Sequence, residues 1–143
     1  MERGNRAFTF LEILIVIALI AVLCAAALPR ASRQFAAIQL DSFSKRLLAI
    51  CSYAAARAVI EQNTTLLTVD GRNNTVSLDV AGKRYKDFAI PDGISVEPGK
   101  PDAVFYPDGT NERFRLNVTG AYGRRTEVKA GNSYGGFRVE YPE

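Results

Sequence analysis

Glu12 is the acidic side chain in an otherwise apolar stretch, "AFTFLEILIVIALIAVLCAAALPR", from Ala7 to Arg30. A carboxylate carried to the middle of a bilayer costs about 2.5–3.5 kcal/mol, so what it can offer there is neutralisation of a cation that would otherwise bear a similar penalty. Phe8 lies four residues earlier, one helical turn away on the same face. A second candidate group is cationic: Arg113, Arg115, Arg124, Arg125, Lys129 and Arg138 face only Glu127, Glu140 and Glu143 over the last thirty-one residues. Interleaved with Tyr122 and Tyr134, these are the types that contact nucleic-acid phosphates, with an affinity that falls steeply as salt rises. The same charges equally suit a solvated strand edge that resists aggregation.

Other chemistries find less material. The chain has no histidine, which removes the commonest general base and metal ligand. Cys24 and Cys51 are twenty-seven residues apart; on one helix that is about 40 Å, against the roughly 7 Å that a disulfide allows. Two thiols also fall short of the four ligands of a structural zinc site. "DGRNN" (Asp70 to Asn74) and "PDGTNE" (Pro107 to Glu112) gather oxygen atoms, but neither follows the twelve-residue calcium-loop pattern with its terminal Glu, and Asp, Asn and Gly are turn residues in any case. The reading is a non-enzyme with no cofactor and no metal.

The elements that must position Glu12 come next. With 143 residues and a net charge of +3, the chain has room for one ordinary domain, and its charge alone says little about nucleic acid. Phe8 to Leu28 is twenty-one residues, about 31 Å as a helix, which matches the roughly 30 Å hydrocarbon core of a bilayer. Arg3 and Arg6 precede it, and Ala25-Ala26-Ala27 closes it with small residues. A cleaved secretory signal and a plain membrane anchor both fit those flanks, but neither has a use for Glu12.

A third reading has one. Phe8-Thr9-Phe10-Leu11-Glu12, behind a short basic leader and ahead of an apolar helix, closely resembles the N-terminus of type IV prepilins and type II secretion pseudopilins. That resemblance implies a leader of residues 1–7, cleavage by a prepilin peptidase between Ala7 and Phe8, and N-methylation of Phe8. The family usually has Gly before the cut, where this chain has Ala7. It further implies that Glu12 meets the free amine of a neighbouring subunit's Phe8 and so sets the register of a filament. The partners implied are prepilin peptidase, other pilins or pseudopilins, and inner-membrane lipid before assembly. The location implied is the bacterial inner membrane, single-pass, with the N-terminus cytoplasmic before processing and the C-terminal domain periplasmic.

Pro29 follows the apolar run, where its missing N–H and ring clash predict a helix kink. From Ala31 to Glu61 there is no Gly or Pro, and Ala36, Leu40, Phe43, Leu47, Ile50, Ala54 and Ala58 recur at intervals of four and three, one apolar face of a helix. After Asn63 the period becomes two. Leu67 and Val69, then Val76, Leu78 and Val80, flank "DGRNN" as a hairpin. Further strands are expected at 85–89, 94–96, 104–106, 114–118 and 137–141, with turns at 91–93, 98–99 and 107–109, and a flexible loop at 131–136. The fold class is α+β: the pilin fold, a long N-terminal helix packed on an antiparallel β-sheet. Its parts are residues 1–7 as leader, 8–29 as membrane and filament-core helix, and 30–143 as a periplasmic domain. Within the superfamily, "YAAARAVIEQNTTLLTV", "FYPDGT" and "GGFRVEYPE" most resemble the H-type minor pseudopilins and T-type minor pilins (the GspH/FimT group). That leaves two uses, protein secretion or pilus biogenesis with DNA uptake.

Overall fold

The computed structural model describes residues 9–98, 102–131 and 136–141, the side chains of 26–31 and Pro98 excepted. Helix α1 runs Phe10–Glu61. The chain divides into two units, Met1–Phe35 and Ala36–Glu143. Residues 26–31 are helical, but the expected bend at Pro29 lies outside what is described there. The cleavage position, Ala7 and Phe8, also lies outside the described residues.

In the second unit α1 buries Leu40, Phe43, Leu47, Ile50, Cys51, Ala54 and Ala58, the face that the spacing predicts with Cys51 added and Ala36 only half-buried. The helix stops at Gln62, whose φ of 53° is left-handed. The Asn63 N–H then reaches back to the Ala58 carbonyl at 3.2 Å, a Schellman closure in which Gln62 stands where Gly is usual.

Among the described residues eight strands follow: β1 Thr65–Asp70, β2 Thr75–Val80, β3 Lys83–Ala89, β4 Ser95–Pro98, β5 Ala103–Phe105, β6 Arg115–Thr119, β7 Arg125–Ala130 and β8 Phe137–Glu140. They form two four-stranded antiparallel sheets where one was expected, ordered β3-β2-β1-β5 and β4-β6-β7-β8. Strand β7 was not anticipated. Gly99 of the expected turn and residues 132–135 of the expected loop lie outside the described residues.

Both oxygen-rich stretches build turns. Asp70 Oδ1 accepts from the N–H groups of Arg72 (2.9 Å) and Asn73 (3.3 Å), and its Oδ2 from Asn73 Nδ2 at 2.7 Å. These bonds, that of the Asn73 side chain foremost, hold the Asp70 carboxyl below its usual range. Asp108 Oδ1 takes the N–H and hydroxyl of Thr110 at 2.9 and 2.6 Å.

The core joins α1 to both sheets. Leu47, Val76, Leu78, Phe105, Val118 and Val128 have no exposed surface. Phe105 of the first sheet meets Phe137 of the second edge-on at 5.9 Å, and Phe114 at 5.7 Å. Buried Ser44 Oγ lies 2.8 Å from the Leu40 carbonyl and 3.2 Å from Thr126 Oγ1, which ties α1 to β7. Burial pushes the Cys51 thiol up to about 12, so it packs as a small apolar group and is no nucleophile.

Candidate assembly site and the basic face

Thr9 begins α1. Its carbonyl accepts the N–H groups of Glu12 (3.0 Å) and Ile13 (3.3 Å), and its Oγ1 lies 3.3 Å from the Glu12 N–H. Thr9-x-x-Glu12 is thus the S/T-x-x-E spacing of a capping box, a signal present in the sequence and missed in reading it. Glu12 falls in the first turn, where the helix dipole favours a negative charge. Its side chain is exposed, and among the described residues it has no ion-pair partner.

Around and beyond Glu12 the helix is apolar on every side. Leu11, Ile13, Leu14, Ile15, Val16, Ile17, Leu19, Ile20, Val22 and Leu23 are all exposed. A helix that is hydrophobic all round belongs inside a membrane or a larger core. Among the described residues no helix is long and apolar enough to cross a membrane.

The cationic candidates lie among carboxylates: the strand registers place Arg115, Lys129 and Arg138 in one row, with Glu127 and Glu140 beside Lys129. Arg113 and Arg124 are exposed outside the strands, while Arg115 and Arg125 are exposed at the starts of β6 and β7. Lys129 lies opposite Arg115 in the β6–β7 register, but its Nζ is 2.8 Å from Glu127 and 2.5 Å from Glu140. Those two carboxylates, Glu127 first, hold the Lys129 ammonium above its usual range. Arg124 and Arg125 border a cavity of about 700 Å³ with Ala37, Leu40 and Tyr141. There the Tyr141 hydroxyl donates to Asp41 Oδ1, and Lys45 donates to Asp41 Oδ2 at 2.7 Å. The Lys45 and Tyr141 bonds hold the Asp41 carboxyl below its usual range. Carboxylates of Asp41, Glu127 and Glu140 therefore stand among these cations.

Residues 3–28 match a protein family described as the prokaryotic N-terminal methylation motif, a stretch that contains Ala7, Phe8 and Glu12. Two solved structures of the minor pseudopilin EpsH, from the type 2 secretion system of Vibrio cholerae, are similar in fold. One is 17% identical with a TM-score of 0.51, covering 75% of this chain and 97% of that chain. The other is 16% identical with a TM-score of 0.52, covering 76% and 94%. No curated protein sequence matches the chain. The chain thus carries a prepilin-type N-terminal methylation motif and, behind it in sequence, an α+β domain with the fold of a minor pseudopilin.

Proposed function

We propose that this protein is a non-catalytic minor pseudopilin, a subunit of a short filament rooted in the bacterial inner membrane and serving type II protein secretion. The observation behind this reading is the pairing of one carboxylate, Glu12, with a helix whose apolar side chains are exposed on every face. In this reading prepilin peptidase cuts between Ala7 and Phe8, Phe8 is methylated, and the apolar helix rests in lipid until it bundles with the helices of other pseudopilins. Glu12 sets register by meeting the Phe8 amine of a neighbour, and the sheet domain faces the periplasm.

The test is the mass of the N-terminal peptide after expression with a prepilin peptidase. The expected N-terminus is methylated Phe8. A chain beginning at Leu28 would mean an ordinary cleaved signal, and an intact Met1 would remove the processing step on which the assembly depends.

The same processing would serve a minor type IV pilin, with DNA capture by Arg113, Arg115, Arg124, Arg125 and Lys129. Secretion is preferred because Lys129 is already neutralised by Glu127 and Glu140. Replacing Arg124 and Arg125 by Ala is expected to leave retention of duplex DNA unchanged in a filter-binding titration. A salt-dependent affinity that disappears with those two side chains would overturn that preference.

A further inference from the structure

Each sheet has two outer strands, and the four differ. The free side of β5 is occupied: Phe105 bridges to Asn111, and the Glu112 N–H donates to the Val104 carbonyl at 3.1 Å. Strand β4 has four residues and ends in Pro98, which has no N–H to offer. Strand β8 also has four residues. Strand β3 has seven, all exposed except half-buried Phe88. Its inner side pairs with β2, which leaves a row of outward N–H and C=O groups.

The surroundings of that edge are specific in shape and charge. The β2–β3 register steps from Leu78↔Lys86 to Asp79↔Arg84 and leaves Tyr85 unpaired, a bulge. The Tyr85 hydroxyl lies 3.4 Å from that of Tyr53 on α1, and the Arg57 guanidinium stands 4.3 Å over its ring. Beside it, between β3 and α1, runs a groove of about 280 Å³ lined by Arg46, Ala49, Ile50, Tyr53, Lys86 and Phe88. Arg84 is balanced by Asp79 and Asp87, each at 3.6 Å. Lys86 sits over the Phe88 ring at 5.4 Å, and among the described residues neither it nor Lys83 nor Arg46 has a carboxylate partner.

We propose that β3 is a docking edge for an extended acidic segment of a neighbouring protein, which adds as a fifth strand and seats an apolar side chain in the groove against Ile50 and Phe88. Ladder hydrogen bonds would supply the affinity and the alternating side chains the specificity. The uncompensated cations choose the occupant. A second copy of this chain would bring its own Lys83, Lys86 and Arg46 against the first set, and like charges across a strand pair are destabilising. Glutamates or aspartates would meet them with opposite charge, while an apolar residue between them covers the groove.

The test uses the full chain in detergent and a fluorescent Glu-Val peptide, Glu-Thr-Val-Thr repeated twice so that Glu and Val share the face that meets Lys86 and the groove, followed by anisotropy. Two further probes are its Lys-Val counterpart and a fully N-methylated Glu-Val peptide that keeps the charge but cannot donate to a ladder. The expected result is binding of the first peptide only, weakened about tenfold when Lys83→Glu and Lys86→Glu are combined. Both sites are exposed, so an unchanged circular dichroism spectrum will show that the variant folds. Absence of binding, equal binding of the Lys-Val peptide, or undiminished binding of the N-methylated one would overturn the proposal. So would a concentration-dependent dimer, seen by sedimentation, that dissociates when the edge is blocked by Lys86→Pro. The readout requires neither cleavage at Ala7 nor filament growth, so it can fail while the pseudopilin assignment stands, and the reverse.

Discussion

A Glu12→Ala chain is expected to enter the membrane fraction as well as the parent and to be nearly absent from sheared filaments. The first half follows from cost: a charge costs up to about 2.5–3.5 kcal/mol at mid-membrane and less near the edge, so replacing the carboxylate by Ala leaves insertion with nothing to lose. The second half follows from what is left behind. In a packed helical bundle a neighbour's amine without its counter-charge is a buried uncompensated ion, and breaking such a pair costs about 3–5 kcal/mol, a hundredfold or more in incorporation. The capping geometry offers a competing explanation, because Thr9 Oγ1 already meets the Glu12 N–H and the N3 side chain of a capping box is Glu or Gln. Glu12→Gln separates the two. Gln retains the cap and loses the charge, so a register role requires that it fail as Ala does, whereas recovery with Gln would reduce Glu12 to a helix-starting residue. Thr9→Ala removes the cap alone and is worth about 0.5–2 kcal/mol of helix stability, well short of the assembly defect. Immunoblots of membrane and filament fractions read all three variants, and normal incorporation of Glu12→Ala would sink the register role.

The helical half of the domain was legible because its signal is local. Leu40, Phe43, Leu47, Ile50, Ala54 and Ala58 are core residues on a 3.6-residue period that needs no knowledge of what covers them. The β1–β2 hairpin was legible for the same reason, since Asp70 and Asn73 write the turn into five residues. Sheet membership was not. Leu67 pairs with Ala103, thirty-six positions away, and alternation tells which face of a strand is inward without telling which sheet it joins. Strand β7 escaped because its inward residues are Thr126, Val128 and Ala130, too small and too polar to read as an apolar alternation between Arg125, Glu127 and Lys129. The missed strand also distorted the reading of charge. As a tail, Arg124, Arg125 and Lys129 look like a basic run; as a strand beside β8, the same segment places Lys129 within reach of Glu140. Glu12, by contrast, announced itself through cost, which depends only on its apolar neighbours in sequence.

Phe105→Ala is expected to cost the domain a large part of its stability. Phe105 is completely buried, and truncating a buried Phe to Ala typically loses about 3–5 kcal/mol from transfer and cavity terms together. A domain of this size is stable by about 5–15 kcal/mol in all, so the melting temperature should fall by roughly 12–30 °C, measured by near-ultraviolet circular dichroism on the full chain. Position adds to the effect of size. Strand β5 is three residues long and is held to β1 by the pairs Thr65↔Phe105, Leu66↔Val104 and Leu67↔Ala103. Phe105 is also where the first sheet reaches Phe137 of the second, and Phe114 ahead of β6, through edge-on ring contacts. Such pairs are worth about 0.5–1.5 kcal/mol beyond the area they bury, and residues in contact are not additive. The Phe105→Ala/Phe137→Ala pair should therefore be less destabilised than the sum of the two singles by about that amount. A strictly additive pair would mean that the sheets are joined elsewhere, and a Phe105→Ala chain melting within about 5 °C of the parent would show that the cavity closes by collapse and that the aromatic joint is not what holds the two sheets together.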